Sequence, residues 1–314
     1  MKKYLGYLYI VLSAVIFSTM EVVLKTVAGV FAPMQITALR FTVGGLLLLP
    51  LAFRSMKNKG TRLGGRDVLF FCLTGFLNVI LAMGFYQVAV TMNQASAVAV
   101  LFSANPIFTL LLAGIILKES ILKNHIIALI LEIIAIVIFV SPWNTKLDLT
   151  GVLLALLAAV VFGLYSVVCK LRTARFGGIA VTSISFVLGG FLLILLILLG
   201  RIPAVSSAFS ACGLSVMADV PLLKGIPASA LPALFYICAV VTAGGYVFHM
   251  LAVEKTSARE GGLVFFLKPM IAPVLAYIFL KDEITVNMIL GIICLLIGSG
   301  ISIIPDILRA KKQT

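Results

Sequence analysis

Ten apolar segments, each about as long as a membrane-spanning helix, recur along the chain and constrain its fold more than any other feature. They lie at about residues 5–24, 34–53, 68–90, 96–117, 124–141, 149–169, 179–199, 231–252, 260–280 and 285–304. A helix that crosses a bilayer needs roughly 20 apolar residues, and its backbone polar groups bond within the helix. With 62% apolar and 11% charged residues, the chain cannot fold as a water-soluble globule. The sequence therefore predicts an all-α membrane protein with ten transmembrane helices.

The formal charge of +13 is distributed in a way that predicts the orientation of these helices. If both termini are cytoplasmic, 17 Lys and Arg residues fall in cytoplasmic segments. Only 5 fall in external ones, namely Lys25, Lys146, Arg201, Lys224 and Lys281. Cytoplasmic loops of membrane proteins carry such an excess. We therefore expect both termini on the cytoplasmic side of a cell membrane. The partner of the basic residues is expected to be the lipid bilayer and not a nucleic acid.

The second half of the chain repeats the first with two offsets. An offset of 145 residues aligns the first two segments with the sixth and seventh, and an offset of 163 aligns the third to fifth with the eighth to tenth. The matches that composition does not explain are Lys25 with Lys170, Gly44-Gly45 with Gly189-Gly190, Phe102 and Pro106 with Phe265 and Pro269, and Lys118 with Lys281. Residues 1–145 and 146–314 are thus predicted to be two five-helix repeats. Because five is odd, the repeats insert in opposite orientations, an inverted topology typical of secondary transporters.

The repeated motifs resemble those of a known family. They are Gly6…Phe17…Lys25 and Gly151…Phe162-Gly163…Lys170, Pro33…Arg40-Phe41, Ala95-Ser96-Ala97…Pro106 and Ala258…Pro269, and the segment ends Leu117-Lys118-Glu119 and Leu280-Lys281-Asp282-Glu283. Together they are similar to EamA-type members of the drug/metabolite transporter superfamily, with one EamA repeat in each half. The resemblance implies ten spans in the inner membrane, in a bacterium, and the transport of small metabolites, often the export of amino acids and related compounds.

The functional expectation is a secondary transporter that exports a small carboxylate-bearing metabolite, such as an amino acid, by alternating access. The alternative is an exchanger or importer of organic anions, sugars or phosphorylated metabolites. Catalysis is not expected, because the sequence contains no Asp-x-x-x-Asp, His-x-x-x-x-Asp or His-Glu-x-x-His pattern. Its five scattered cysteines and two histidines lack metal-ligand spacing, so neither a metal nor another cofactor is expected. The sequence leaves open whether protons or a counter-substrate drive transport, and whether the protein is a monomer or a homodimer.

Lys268 is the first candidate binding residue, because it lies deep in the ninth segment. Its backbone is predicted to lie about 12 Å below the start of that helix, where a charge is costly. It either binds an anionic group of the substrate or extends along the helix to the membrane surface. Pro269 follows it, as Pro106 follows Asn105 in the other repeat. Because proline frees a helix carbonyl, we expect two matching helix breaks, with Asn105 also hydrogen-bonding the substrate.

Arg40 and Glu21 are predicted to lie at similar depths near the outer side, and Lys25 follows Glu21 by one helical turn. One interpretation is a structural ion cluster of these three side chains. The other is that Arg40 contacts the substrate and Glu21 couples proton movement to transport. Glu132, in the middle of the fifth segment, is likewise either a partnered structural carboxylate or a coupling group.

Aromatic side chains from both repeats are expected to line a central cavity, together with a histidine that could also carry a proton. These candidates are Phe17, Tyr86, Phe162, Tyr165, Tyr246 and His249. The glycine pairs Gly44-Gly45 and Gly189-Gly190 are expected to let helices approach closely. Gly261-Gly262 is a candidate hinge. The loop at 201–230 is either a short interfacial helix or lid, or an insertion into one repeat.

Overall fold

The computed structural model describes residues 2–118, 121, 123–140, 147–256 and 263–312, with side chains described within 4–301. Several features of the sequence lie outside these ranges. They are Lys146, Glu119, Ala258, Arg259, the Gly261-Gly262 pair and the predicted boundary between the repeats.

The described chain folds into long helices, as its apolar segments predict. They are α1 Lys2–Thr26, α2 Pro33–Asn58, α3 Gly65–Met92, α4 Ala95–Ile116, α5 Lys123–Val140, α6 Leu149–Phe176, α7 Gly178–Leu199, α8 Ala228–Lys255, α9 Leu263–Leu280 and α10 Val286–Lys312. Within the described ranges, nine helices are long and apolar enough to cross a membrane. The described apolar part of α10, Val286–Ile301, is shorter. The all-helical membrane fold is confirmed, whereas the tenth crossing and the cytoplasmic termini stay predictions.

Residues that the 163-residue offset aligns share unusual backbone geometry. A π-helical segment interrupts α3 at Phe76–Ala82, and another interrupts α8 at Tyr236–Gly244. Lys118 after α4 and Lys281 after α9 both have left-handed backbones, with φ of 55° and 60°. Such residues commonly end helices, because they let the chain turn away from the helix axis. The two halves thus resemble each other in local structure as well as in sequence.

Helices of the first half pack chiefly against helices of the second half. α1 contacts α8 and α9, and their counterparts repeat the arrangement, since α6 contacts α3 and α4. α2 packs on α7, and α5 packs on α10. The two halves therefore interlock around a common centre.

Glycines allow the closest of these crossings, as the sequence predicts. A methyl group on Gly45 of α2 would lie 2.9 Å from the backbone nitrogen of Val187 on α7. One on Gly75 of α3 would lie 2.5 Å from the carbonyl oxygen of Ser185 on α7. Since carbon atoms do not approach backbone atoms so closely, a larger residue would push α2 or α3 away from α7.

The loop between α7 and α8 contains a nine-residue helix, Pro203–Ala211. Gln35 at the start of α2 donates to the carbonyl oxygen of Leu222 and so ties the loop to the bundle, while Arg201 donates to the carbonyl oxygen of Val220 within the loop. Met217 and Val220 are buried. The loop thus covers the end of the bundle where α2 begins.

Candidate functional site

A small cavity lies where helices of the two halves meet. Side chains from α1, α2, α3, α4, α6, α8 and α9 surround it. They are Phe17, Met20, Arg40, Phe41, Met83, Phe102, Phe162, Val241, Thr242, Tyr246, Phe265 and Lys268. Two of these residues carry a positive charge and six are aromatic. The cavity therefore combines cationic groups with apolar, flat walls.

Lys268 makes a buried ion pair at this cavity. Its Nζ lies 2.5 Å from Oε1 of Glu21 on α1, and the two side chains are 2% and 1% exposed. The hydroxyl of Tyr86 on α3 donates to the same carboxylate oxygen. The ammonium also lies 5.2 Å from the centroid of the Phe102 ring, within the range of a cation–π interaction. These contacts join α1, α3, α4 and α9 through one charged group, and they explain how a lysine stays so deep in the bundle.

Arg40 on α2 faces the same cavity and is 1% exposed. Its Nη1 donates to the sulfur of Met20 at 3.3 Å, and its guanidinium lies 4.6 Å from the centroid of the Phe41 ring. Its Nε and Nη2 have no hydrogen-bond partner among the described residues. Two nitrogen donors of a permanent cation are thus left unsatisfied inside the bundle.

The structure corrects the predicted cluster of Glu21, Lys25 and Arg40. Lys25 instead donates to the backbone carbonyls of Val90 and Asn93, at 2.9 and 2.6 Å. The physical reason is that the last carbonyls of a helix have no partner within it, so those at the end of α3 attract the nearby ammonium. Glu21, one turn earlier, points inward to Lys268.

The predicted pair of helix breaks forms on one side only. α4 is interrupted at residues 103 and 104, whereas α9 is continuous through Pro269. In α4, the side-chain amide of Asn105 donates to the carbonyl oxygen of Phe102 at 2.9 Å, and this is the carbonyl that Pro106 frees. In α9 the residue before the proline is Lys268, whose side chain reaches Glu21. The break expected at Pro269 is therefore wrong, and Asn105 stabilises the break in its own helix.

The aromatic candidates divide into two groups. Phe17, Phe162 and Tyr246 line the cavity, whereas Tyr86 reaches the site through Glu21. Tyr165 does not line it, although its ring centroid lies 5.8 Å from that of Phe162. His249 lies behind the wall, 5.7 Å from the Phe265 ring centroid, and its buried Nδ1 lacks a partner among the described residues.

Glu132 lies away from the cavity, between α5 and α10. The hydroxyl of Ser299 donates to its Oε1 at 2.9 Å, and its Oε2 has no partner among the described residues. This geometry fits a structural carboxylate better than a group that exchanges protons with a central substrate.

Sequence reasoning missed part of the cavity wall. Phe102 and Phe265 were visible as the aromatic positions of a repeated Phe-x-x-x-Pro motif, and the structure places both on the cavity. Phe41, next to Arg40, was visible in the same way. Met83, Val241 and Thr242 carried no signal, because apolar and small residues fill every helix of this chain.

A bundle of membrane-length helices around a central charged cavity is the architecture of a multi-pass membrane transporter. The chain belongs to the EamA-like transporter family, whose model matches residues 4–141 and 149–304. Similar proteins support this assignment, which confirms the resemblance found in the sequence. An uncharacterized transporter from Clostridium kluyveri is 37% identical over 311 residues, covering 96% of this chain and 93% of that protein.

Two further comparisons extend the likeness. Human solute carrier family 35 member G1 is 32% identical over 163 residues, which cover 51% of this chain and 38% of that protein. A solved protein structure superimposes with a TM-score of 0.60 at 16% identity, covering 96% of both chains. At that identity the likeness shows a common fold.

Proposed function

We propose that the protein is a secondary transporter that exports a small carboxylate-bearing metabolite, an amino acid or a related compound, by alternating access. The observation that carries this proposal is the cavity lined by Arg40 and Lys268 between helices of both halves, with Glu21 paired to Lys268 beside it. Because the halves have related local structures and interlock, exchanging their arrangements opens the cavity to one side and then to the other.

The proposed membrane arrangement has ten crossings, with α10 as the last, and both termini in the cytoplasm of a bacterium. The distribution of basic residues along the sequence supports this orientation. The ion pairs of Arg172 and Arg175 with Asp67, 3.2 and 2.9 Å long, would then lie on the cytoplasmic face. We propose that this unit works as a monomer or a homodimer.

Glu21 is the proposed coupling residue. Its carboxylate neutralises Lys268, so protonation of Glu21 leaves the ammonium without its counter-charge and favours an anionic substrate in the cavity. Among the described residues, Arg40, Tyr86 and Tyr246 are other charged or titratable side chains around this pair. If proton and substrate carboxylate bind together in this way, they cross the membrane in the same direction, so an outward gradient of the substrate drives the export. Neither Glu132, held by Ser299, nor His249, behind the cavity wall, is needed for this step.

The test begins with thermal unfolding of the purified full-length protein in a library of metabolites, because a specific ligand raises the unfolding temperature by mass action. A stabilising carboxylate is then loaded into liposomes that contain the protein, and its efflux is measured. We expect efflux with the parent and with Lys224→Met, which changes an exposed external lysine, and none with Lys268→Met.

Two outcomes would contradict the proposal. Efflux of a sugar or a phosphorylated compound without any carboxylate would favour the exchanger of such metabolites. Efflux through Lys268→Met at the parent rate would remove the central ion pair from the mechanism. A pH-sensitive dye inside the liposomes tests coupling, since Glu21→Gln should leave no proton movement linked to the substrate.

A further inference from the structure

The central charges do not balance. Around the cavity, Arg40 and Lys268 contribute two positive charges and Glu21 contributes one negative charge, so the described groups leave a net charge of one. Oε1 of Glu21 is engaged by both Lys268 and Tyr86, and its Oε2 has no hydrogen-bond partner among the described residues. Arg40 makes its side-chain contacts with the Phe41 ring and the Met20 sulfur. Arginine does not lose its proton in proteins. The residual charge therefore belongs to Arg40.

The free donors of Arg40 form one edge of the guanidinium. Nε and Nη2 lie on the same side of the planar group, and they are the two nitrogens without a partner among the described residues. This edge presents two parallel N–H groups, the geometry that binds both oxygens of a carboxylate. A buried charged donor without a partner is costly, so binding an anion here satisfies two groups at once.

The walls specify the rest of the ligand. Phe17, Phe41, Phe102, Phe162, Phe265 and Tyr246 surround the cavity. The Phe162 ring packs edge-to-face on Phe102 and Phe265, with centroids 5.3 and 6.2 Å apart. A further aromatic ring can pack favourably on these rings in an offset or edge-to-face arrangement. Besides Arg40, Lys268 and the tyrosine and threonine hydroxyls, the described side chains around the cavity have few groups that could hydrogen-bond a polar ligand.

Resting on the proposed transport function, we infer that Arg40 anchors the substrate carboxylate through Nε and Nη2, and that the substrate is an aromatic monocarboxylate. This assigns the direct contact to Arg40. Lys268, which the sequence favoured for that contact, instead pairs with Glu21 and links anion binding to protonation. The aromatic body of the substrate lies among the phenylalanine rings.

The first experiment compares ligands on the unmodified protein in detergent. Phenylacetate should raise the unfolding temperature at concentrations at least tenfold below those needed for phenylacetamide, which has the same ring without the charge. It should also act at least tenfold below acetate and glutamate, which lack the ring. Equal stabilisation by phenylacetamide, or stronger stabilisation by glutamate, would overturn the inferred substrate class. No variant is required, so this result does not depend on how well a mutant folds.

The second experiment tests the anchor. Arg40→Lys keeps the charge but not the two parallel N–H groups, so phenylacetate should bind at least tenfold more weakly, and Arg40→Gln should not bind it. Arg201→Gln is the matched control, because Arg201 also donates two N–H groups, to Val220 in the external loop. If phenylacetate binds the Arg40 variants as it binds the parent, the anchor is wrong although carboxylate transport stands. If no carboxylate crosses liposomes that contain the parent, the proposed function itself is wrong.

Discussion

Nζ of Lys268 on α9 lies 2.5 Å from Oε1 of Glu21 on α1, and the two residues come from opposite halves of the chain. Removing one partner of a buried ion pair leaves an uncompensated charge and costs about 3–5 kcal/mol. We therefore expect Glu21→Gln and Lys268→Met each to lower the free energy of unfolding by an amount of that order. The double variant should recover most of the loss, because neither member of the ion pair is then left without its partner. Thermal unfolding of all four proteins in detergent measures this. Additive losses in the double variant would show that the two side chains do not interact.

The crossing of α3 and α7 should not accept a side chain at Gly75. A methyl group there would lie 2.5 Å from the carbonyl oxygen of Ser185 and 2.6 Å from the nitrogen of Gly189. Because both are backbone atoms, whole helices must move, and Gly75→Ala should cost about 1–3 kcal/mol of stability. The matched control is Gly65→Ala at the start of the same helix, where a methyl group meets nothing within 4 Å. Equal unfolding temperatures for the two variants would contradict this packing.

Asn105 is expected to stabilise the break in α4 without touching the substrate. Asn105→Ala removes the donor to the carbonyl oxygen of Phe102, and an unsatisfied buried carbonyl costs about 1–3 kcal/mol. The unfolding temperature should fall, while the further rise caused by a bound carboxylate should stay the same. Thr109→Val, one turn later, removes a hydroxyl that donates to the carbonyl oxygen of Asn105 within the same helix. This control variant should lower the stability less than Asn105→Ala does. Loss of the ligand-induced rise in Asn105→Ala alone would restore the substrate-binding role predicted from the sequence.

Lys25 is expected to hold the end of α3 against α1. Its ammonium donates to the carbonyls of Val90 and Asn93, and hydrogen bonds of charged groups contribute about 1.5–3 kcal/mol. Lys25→Met should therefore destabilise the protein by about that amount, whereas Lys57→Met, at an exposed position, should not. Amide hydrogen exchange offers a local readout, since protection should fall at the end of α3 first. Unchanged protection there in Lys25→Met would show that the contact is not maintained.

The repeat motifs made much of the architecture predictable. Nine of the predicted spans match helices of membrane length, because an apolar run of that length has no other stable arrangement in a bilayer. The role of the glycine pairs in close helix packing could be predicted, because the closest helix crossings need small residues. The π-helical segments Phe76–Ala82 and Tyr236–Gly244 were not predicted, since apolar residues are compatible with either helix type.

The sequence predicted how deep the charged side chains of the candidate site lie along their helices, but not which side chains they contact. Lys268, Arg40 and Glu21 stood out because a charged side chain within a membrane-spanning segment is energetically costly and is usually paired or functional. Their pairing was wrong, because sequence depth says how far a residue lies along its helix and not which way its side chain points. The rotation of α1 turns Glu21 toward α9 and leaves Arg40 beside Phe41.

By itself, the sequence determined the class of fold, the repeat and the family, because hydropathy and recurring Pro, Gly and Lys positions are properties of the chain alone. Only the tertiary structure decided that Glu21 neutralises Lys268, that Asn105 caps Phe102 and that Arg40 keeps two free donors. The physical reason is that ion pairs and hydrogen bonds depend on distances of a few ångströms between helices distant in sequence. Those distances follow from how the two halves interlock.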